Sequence, residues 1–400
     1  MAHYVRRVKT EGDDVTSRRF RAAALVTGLV ALVATACVMP PPPATGVDPN
    51  TAPRAGDAAY VEPGPYPVGV TTLSLGDREV EVWYPADAAG IGSTPPESYF
   101  IRDFIPPGFD ALIPPEVNPP YATDAHRDVA ASTDGPFPLS LFSHGAASYR
   151  LQSTELTVHL ASWGFVVAAP DYLERGLSGV LGAPPAAPKA DTVVAGLAID
   201  AVRAAGADPT SVLSGTVDGT RVFPFGHSAG GGTSIRLLGR PDVTSAVPMA
   251  SGVLALNLLN GTTVLPPGEA ITWIAGRQDG IVALDGVRVG YDFTPGEKRI
   301  IELNGAGHNN AFTDICEIGE GGVVQLALAT GLPIPPQLLT LGDDGCAVPP
   351  FRDSPELWDE VRHFLTAELR YRSGLDPAPV GLGDAVLTAF DDVARYEHAP

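Results

Sequence analysis

Gly226-His227-Ser228-Ala229-Gly230 follows the apolar run 222–225 and leads into the small residues Gly231-Gly232-Thr233. A Gly-x-Ser-x-Gly pattern between a strand and a helix is a nucleophile elbow, in which a sharp turn lifts the serine hydroxyl above the sheet. The flanking glycines leave the space that a strained serine backbone needs. A hydroxyl at its ordinary pKa is a poor nucleophile and requires a base, which the elbow order places downstream after an intervening acid. Of eight histidines, His308 is the candidate base. It stands in Gly305-Ala306-Gly307-His308-Asn309-Asn310, a glycine-rich loop expected to be flexible just past the apolar run 299–303, from which its ring could swing over Ser228. His3 is N-terminal, His144 and His227 belong to other motifs, and His126, His159, His363 and His398 fall in helices or tails. The acid is expected after the preceding strand, where Gly276-Arg277-Gln278-Asp279-Gly280 offers Asp279; Asp285 and Asp292 are rivals further from a strand end. Asp279 would fix the His308 tautomer and stabilise the imidazolium. Acyl transfer also needs two backbone N–H donors for the oxyanion, and Ala229 and Ala146 are the candidates, with His144 bracing the Ala146 loop.

Such a site needs strands to carry it. From residue 138 short apolar runs alternate with helical stretches, the pattern of a parallel sheet with crossover helices. Strands are expected at 139–143, 165–169, 222–225, 246–249, 271–275 and 299–303, with helices at 155–163, 192–205, 230–238 and 357–371. Ahead of them, 71–75 and 79–84 alternate apolar and polar around Gly76-Asp77, an antiparallel pair. Residues 85–136, marked by Pro106-Pro107, Pro114-Pro115 and Pro119-Pro120, show no firm period, a long excursion placed to cover a site. The fold class is therefore α/β: a mostly parallel, doubly wound sheet with helices on both faces and a long insertion in its N-terminal half.

Composition removes several alternatives. Hydrophobic residues at 44% and charged residues at 18% exclude a disordered chain, and 44 Gly with 40 Pro among 400 residues exclude a coiled coil. A net charge of −20 argues against nucleic acid as a partner. No cofactor is expected: there is no Gly-rich phosphate loop with its lysine, and no metal, because Cys316 and Cys346 have no zinc-spaced partners and Asp343-Asp344 is too small a cluster for calcium.

Six basic residues precede the apolar stretch 22–36, the plan of an export signal. It closes on Ala34-Thr35-Ala36-Cys37, which resembles a lipobox and makes Cys37 the candidate lipidation site and membrane attachment. Ser17-Arg18-Arg19-Phe20 resembles part of a twin-arginine motif, so the export route stays open. Residues 1–36 are thus expected as signal, 37–60 as a Pro/Ala-rich tether, 61–375 as the catalytic domain and 376–400 as a C-terminal tail. Outside the cytosol Cys316 and Cys346 are expected to pair.

The chain resembles the α/β-hydrolase superfamily. Within it, the likeness is to the secreted platelet-activating-factor acetylhydrolase and related bacterial serine esterases, with polyester and dienelactone hydrolases as neighbours. The resemblance rests on 66–70 leading to Val82-Trp83-Tyr84-Pro85, on Leu141-Phe142-Ser143-His144-Gly145, on 160–171, on the elbow, and on 307–314. It implies Ser228, Asp279 and His308 as triad and lipid acetyl esters among the substrates. Polyester hydrolases commonly carry an aromatic residue where Ala146 stands, which weighs against that specialisation. The expected function is an exported serine carboxylic ester hydrolase of the bacterial cell envelope or its surroundings, acting on short or medium acyl esters, either small molecules or lipids. Acyl transfer, polyester hydrolysis and a catalytically silent envelope-binding protein remain the competing readings.

Overall fold

The computed structural model describes residues 58–110, 113–114, 117–252, 265–331 and 334–400. The expected export signal, Cys37 and nearly all of the expected tether lie outside them. Twelve strands are described: β1 (Val68–Ser74), β2 (Glu79–Pro85), β3 (Ser98–Tyr99), β4 (Tyr121–Ala122), β5 (Ala125–Arg127), β6 (Phe137–Ser143), β7 (Val166–Pro170), β8 (Val217–His227), β9 (Ser245–Met249), β10 (Ala270–Gly276), β11 (Lys298–Leu303) and β12 (Val393–Ala399). Ten form one sheet in the order β12-β11-β10-β9-β8-β6-β7-β2-β1-β5, while β3 and β4 pair separately. The stretch from β7 through β6, β8, β9 and β10 to β11 is parallel; β2 and β12 join its two ends antiparallel.

The larger helices are α1 (Thr154–Ser162), α2 (Asp191–Ala207), α3 (Ala229–Arg236), α4 (Leu284–Phe293), α5 (Gly322–Ala329), α6 (Pro336–Asp343) and α7 (Ser354–Ser373). Strand side chains alternate between two cores, as a sheet covered on both faces requires. Val167, Phe223, Phe225, Ile274 and Ile301 pack with Leu156 and Leu160 of α1 and Leu357, Val361 and Phe364 of α7. Val166, Val222, Ile271, Trp273 and Ile300 pack with Ala198 and Ile199 of α2, Ile235 of α3 and Val287 of α4. The parallel strands all end at one edge, and the segments leaving that edge carry Ala146, Ser228, Ala229, Asp279 and His308.

Three expectations need correction. Residues 376–400 are not a free tail, since β12 lies antiparallel on β11 and Val393 and Tyr396 are buried; one strand inside a charged, Pro-rich terminus leaves too weak a period to read. The compact part reaches back before residue 61. Tyr60 is fully buried and its hydroxyl donates to Asp376. Within 85–136, β5 pairs with β1 and short strands and turns organise the excursion. Helices α4, α5 and α6 were not read from the pattern.

Candidate active site

At Ser228 the backbone turns through φ 55° and ψ −120°, outside the region an L-residue normally occupies. A backbone held there costs on the order of 1–3 kcal/mol and persists only when its surroundings enforce it. The enforcement is steric. A Cβ on Gly230 would lie 1.8 Å from the Ser143 carbonyl oxygen, and one on Gly226 would lie 2.4 Å from that of Gly230. Strand β8 enters and α3 leaves directly, so the serine sits at the positive, N-terminal end of α3, where the Gly231 N–H donates to the Ser228 carbonyl at 3.0 Å.

His308 and Asp279 meet as a buried pair. His308 Nδ1 lies 2.9 Å from Asp279 Oδ2, and each side chain is 1% exposed. The other carboxylate oxygen accepts the N–H groups of Ile281 at 2.8 Å and Val282 at 2.7 Å, which fixes the acid's orientation. Asp285 instead sits at the surface beside Arg288, and Asp292 lies on α4. His308 Nε2 is buried with no hydrogen-bond partner, and Ser228 lines the same pocket. The Ser228 hydroxyl and His308 Nε2 are not hydrogen-bonded to each other, and catalytic hydrogen bonds of this kind commonly tighten with substrate.

The His308 loop is not the flexible, swinging segment that its glycines imply. Residues 306–314 are buried. Asn310 accepts the Gly307 N–H and donates to the carbonyls of Gly305 and Arg352. Asp344 accepts the His308 N–H at 2.7 Å and the Gly280 N–H at 3.2 Å, so one carboxylate ties the acid loop to the base loop. This is the aspartate considered above for calcium, and here it accepts peptide N–H groups instead. Next to it, Cys346 is bonded to Cys316 across a separation of 30 residues. Further along, Asp314 caps α1 from outside the helix, accepting N–H from Thr154 at 2.6 Å and from Glu155 at 3.3 Å.

Ala146 lines the pocket together with Ser228, and Ala229 follows Ser228 as the first residue of α3. His144 holds the first of these loops. It accepts the Tyr172 N–H at 3.0 Å, and its other ring nitrogen lies 2.8 Å from the Gly145 carbonyl. Burial, reinforced by the Arg175 charge, pushes its pKa down to about 3, so the ring is neutral.

Residues 116–179 match the model of a family described as platelet-activating factor acetylhydrolase, isoform II. The fold is that of an α/β-hydrolase. The matched stretch carries β6, the Ala146 loop, α1 and β7, and it supports a serine ester hydrolase in general. Ser228, Asp279 and His308 lie beyond it.

The pocket above Ser228 is apolar. Ile101, Ile105 and Phe109 come from the excursion, and Leu326, Leu338 and Leu339 from α5 and α6. Its described lining includes no Lys, Arg, Asp or Glu. Sequence reading missed α5 and α6 as pocket walls, and it missed Gln152, His227 and Asp344 as bonding partners of the candidate loops. An uncharged run from 321 to 342 in so acidic a chain is the signal that could have found those walls. Nothing local marks the partners.

Proposed function

We propose that this protein is an exported serine carboxylic ester hydrolase that works through an acyl-enzyme on Ser228. The observation that carries the proposal is the strained Ser228 sharing one pocket with a histidine held by a buried aspartate. His308 Nε2 takes the hydroxyl proton as Ser228 Oγ attacks the ester carbonyl, while Asp279 holds the Nδ1–H and stabilises the imidazolium. The N–H groups of Ala146 and Ala229 receive the oxyanion. His308 then returns the proton to the departing alkoxide, and water admitted to the same base releases the acid.

The substrate class follows from the pocket. A cavity of about 140 Å³ without a charged lining favours an uncharged acyl group of short or medium length, and it is smaller than the ~300–1,000 Å³ of drug-sized sites. Lipid acetyl esters are consistent with this and with the family matched over 116–179. Export is supported by the basic and then apolar N-terminal segment, and membrane attachment through an acylated Cys37 by the small residues before it.

The test is twofold. A fluorophosphonate probe should label Ser228, and Ser228→Ala should lose labelling and about 10⁶-fold in kcat on p-nitrophenyl acetate. An unlabelled parent, or hydrolysis surviving the substitution, overturns the proposal. Product analysis with a competing alcohol separates hydrolysis from acyl transfer.

A further inference from the structure

We infer that Gln152 is a positioning residue for the Ser228 chemistry, forming with His227 a buried strut that sets the oxyanion loop against the loop carrying His308. The inference rests on the ester-hydrolase reading above. Three loops leave three different strands at this edge: 144–146 after β6, the elbow after β8, and 304–310 after β11. Strand register aligns the strands but not the loops beyond them. Yet an oxyanion donor must lie about 2.7–3.1 Å from the developing charge, and a misplacement of about 1 Å can cost ~100-fold.

The strut spans those three loops in three bonds. The Gly145 N–H donates to Gln152 Oε1 at 2.9 Å. Gln152 Nε2 lies 3.0 Å from His227 Nδ1, and His227 Nε2 lies 2.8 Å from the His308 carbonyl oxygen. The direction of every bond is forced. A peptide N–H can only donate, so the amide oxygen faces Gly145 and the amide nitrogen must donate to His227. His227 Nδ1 is therefore the acceptor, and its Nε2–H donates to the His308 carbonyl. Protonating His227 would set two donors face to face, and burial keeps the ring neutral, its pKa well below the ordinary value.

The strut is dry, with Gln152 at 1% exposure and His227 at 3%, so water cannot readily replace a lost bond. It is also tight. A Cβ on Gly145 would meet His227 Nδ1 at 3.2 Å and the Ser228 Cβ at 3.3 Å. Pinning the Gly145 N–H orients the loop whose next N–H is that of Ala146, and pinning the His308 carbonyl anchors the residue that carries the base. The Gln152 carbonyl also accepts the Asp314 N–H at 2.8 Å, so the same residue holds the far end of the His308 loop.

The experiment compares full-length parent, Gln152→Met, Gln152→Asn, His227→Phe and the Gln152→Met/His227→Phe double variant on p-nitrophenyl acetate, well below each thermal midpoint. Methionine keeps the length of glutamine without its bonds, and phenylalanine keeps the ring stacked on Phe312. Each single variant should lose 10- to 100-fold in kcat with KM within threefold, and the Gly145 amide should exchange faster in Gln152→Met. Because both side chains act along one path, the double variant should be no worse than the poorer single. Gln152→Asn, a smaller change with its amide displaced, carries the test if Gln152→Met does not fold. Folded variants with kcat within twofold of an active parent overturn the strut alone, as do losses that multiply in the double variant. A parent that neither hydrolyses the ester nor reacts with fluorophosphonate overturns the ester-hydrolase reading, and the strut with it.

Discussion

The floor and the roof of the pocket are built on opposite principles. The floor is polar and bonded: Asp279, His308, Asn310, Gln152 and His227 each meet a defined partner within the sheet-edge loops. The roof is apolar: Ile105, Phe109, Leu326, Leu338 and Leu339 touch the cavity without a charge among them, and Leu328 of α5 is 52% exposed. Directional bonds fix positions to tenths of an ångström, which acyl transfer demands. Dispersion and burial fix only volume, which suits recognition of a flexible apolar chain. Floor substitutions should therefore act on kcat, and roof substitutions on KM and chain-length preference.

After loss of the nucleophile itself, the largest effect should come from Asp279→Asn, which preserves shape but reverses the tautomer that His308 needs. A fall of about 10⁴ in kcat is expected with near-normal KM, measured by steady-state hydrolysis. A loss under tenfold would mean that the buried pair is structural.

The next tests the joint between the two regions. Residues 316–346, which contain α5 and α6, are closed at their base by the disulfide. Cys316→Ser/Cys346→Ser should cost ~2–4 kcal/mol of stability by calorimetry. It should also raise KM more than it lowers kcat. The reverse split would place the floor under the disulfide's control.

Opening the roof should do less. Leu338→Ala or Leu339→Ala should move the kcat/KM ratio between octanoyl and butyryl p-nitrophenyl esters about tenfold toward the longer chain. Acetate turnover should change less than threefold, and an unchanged ratio would remove α6 from the acyl site.

The smallest effect lies in neither region. Glu360 on α7 is buried, and burial pushes its carboxyl up to about 7. The folded protein thus holds a proton that the unfolded chain releases near pH 4.3. Its stabilising contribution is complete below that pH and is lost as the pH rises through about 7. Glu360→Gln should therefore raise the thermal midpoint at pH 8 by about 1–3 °C. It should leave the midpoint unchanged near pH 4, with activity unaffected.

The parallel strands were legible because burial on both faces imposes short apolar runs, and the boundaries of β6, β7, β9, β10 and β11 fall within about two residues of that reading. The elbow was legible because its glycines answer a local steric demand, seen in the 1.8 Å approach of a Gly230 Cβ to Ser143. Asp279 and His308 could be chosen because strand order restricts which loops reach Ser228. The β12 pairing, α5 and α6 were not legible, since an edge strand and two short amphipathic helices carry weak periods.

What the amino-acid order determines by itself is whatever depends on neighbours within a few residues: the strand and helix periods, the elbow turn, and the residue types able to move a proton. What only the tertiary structure decided is which distant groups share a bond. Gln152 reaches His227 across 75 residues, Asp344 reaches His308 across 36, and Asp314 caps a helix that begins 160 residues before it. A hydrogen bond depends on separation and direction in space, and neither is written in the spacing along the chain.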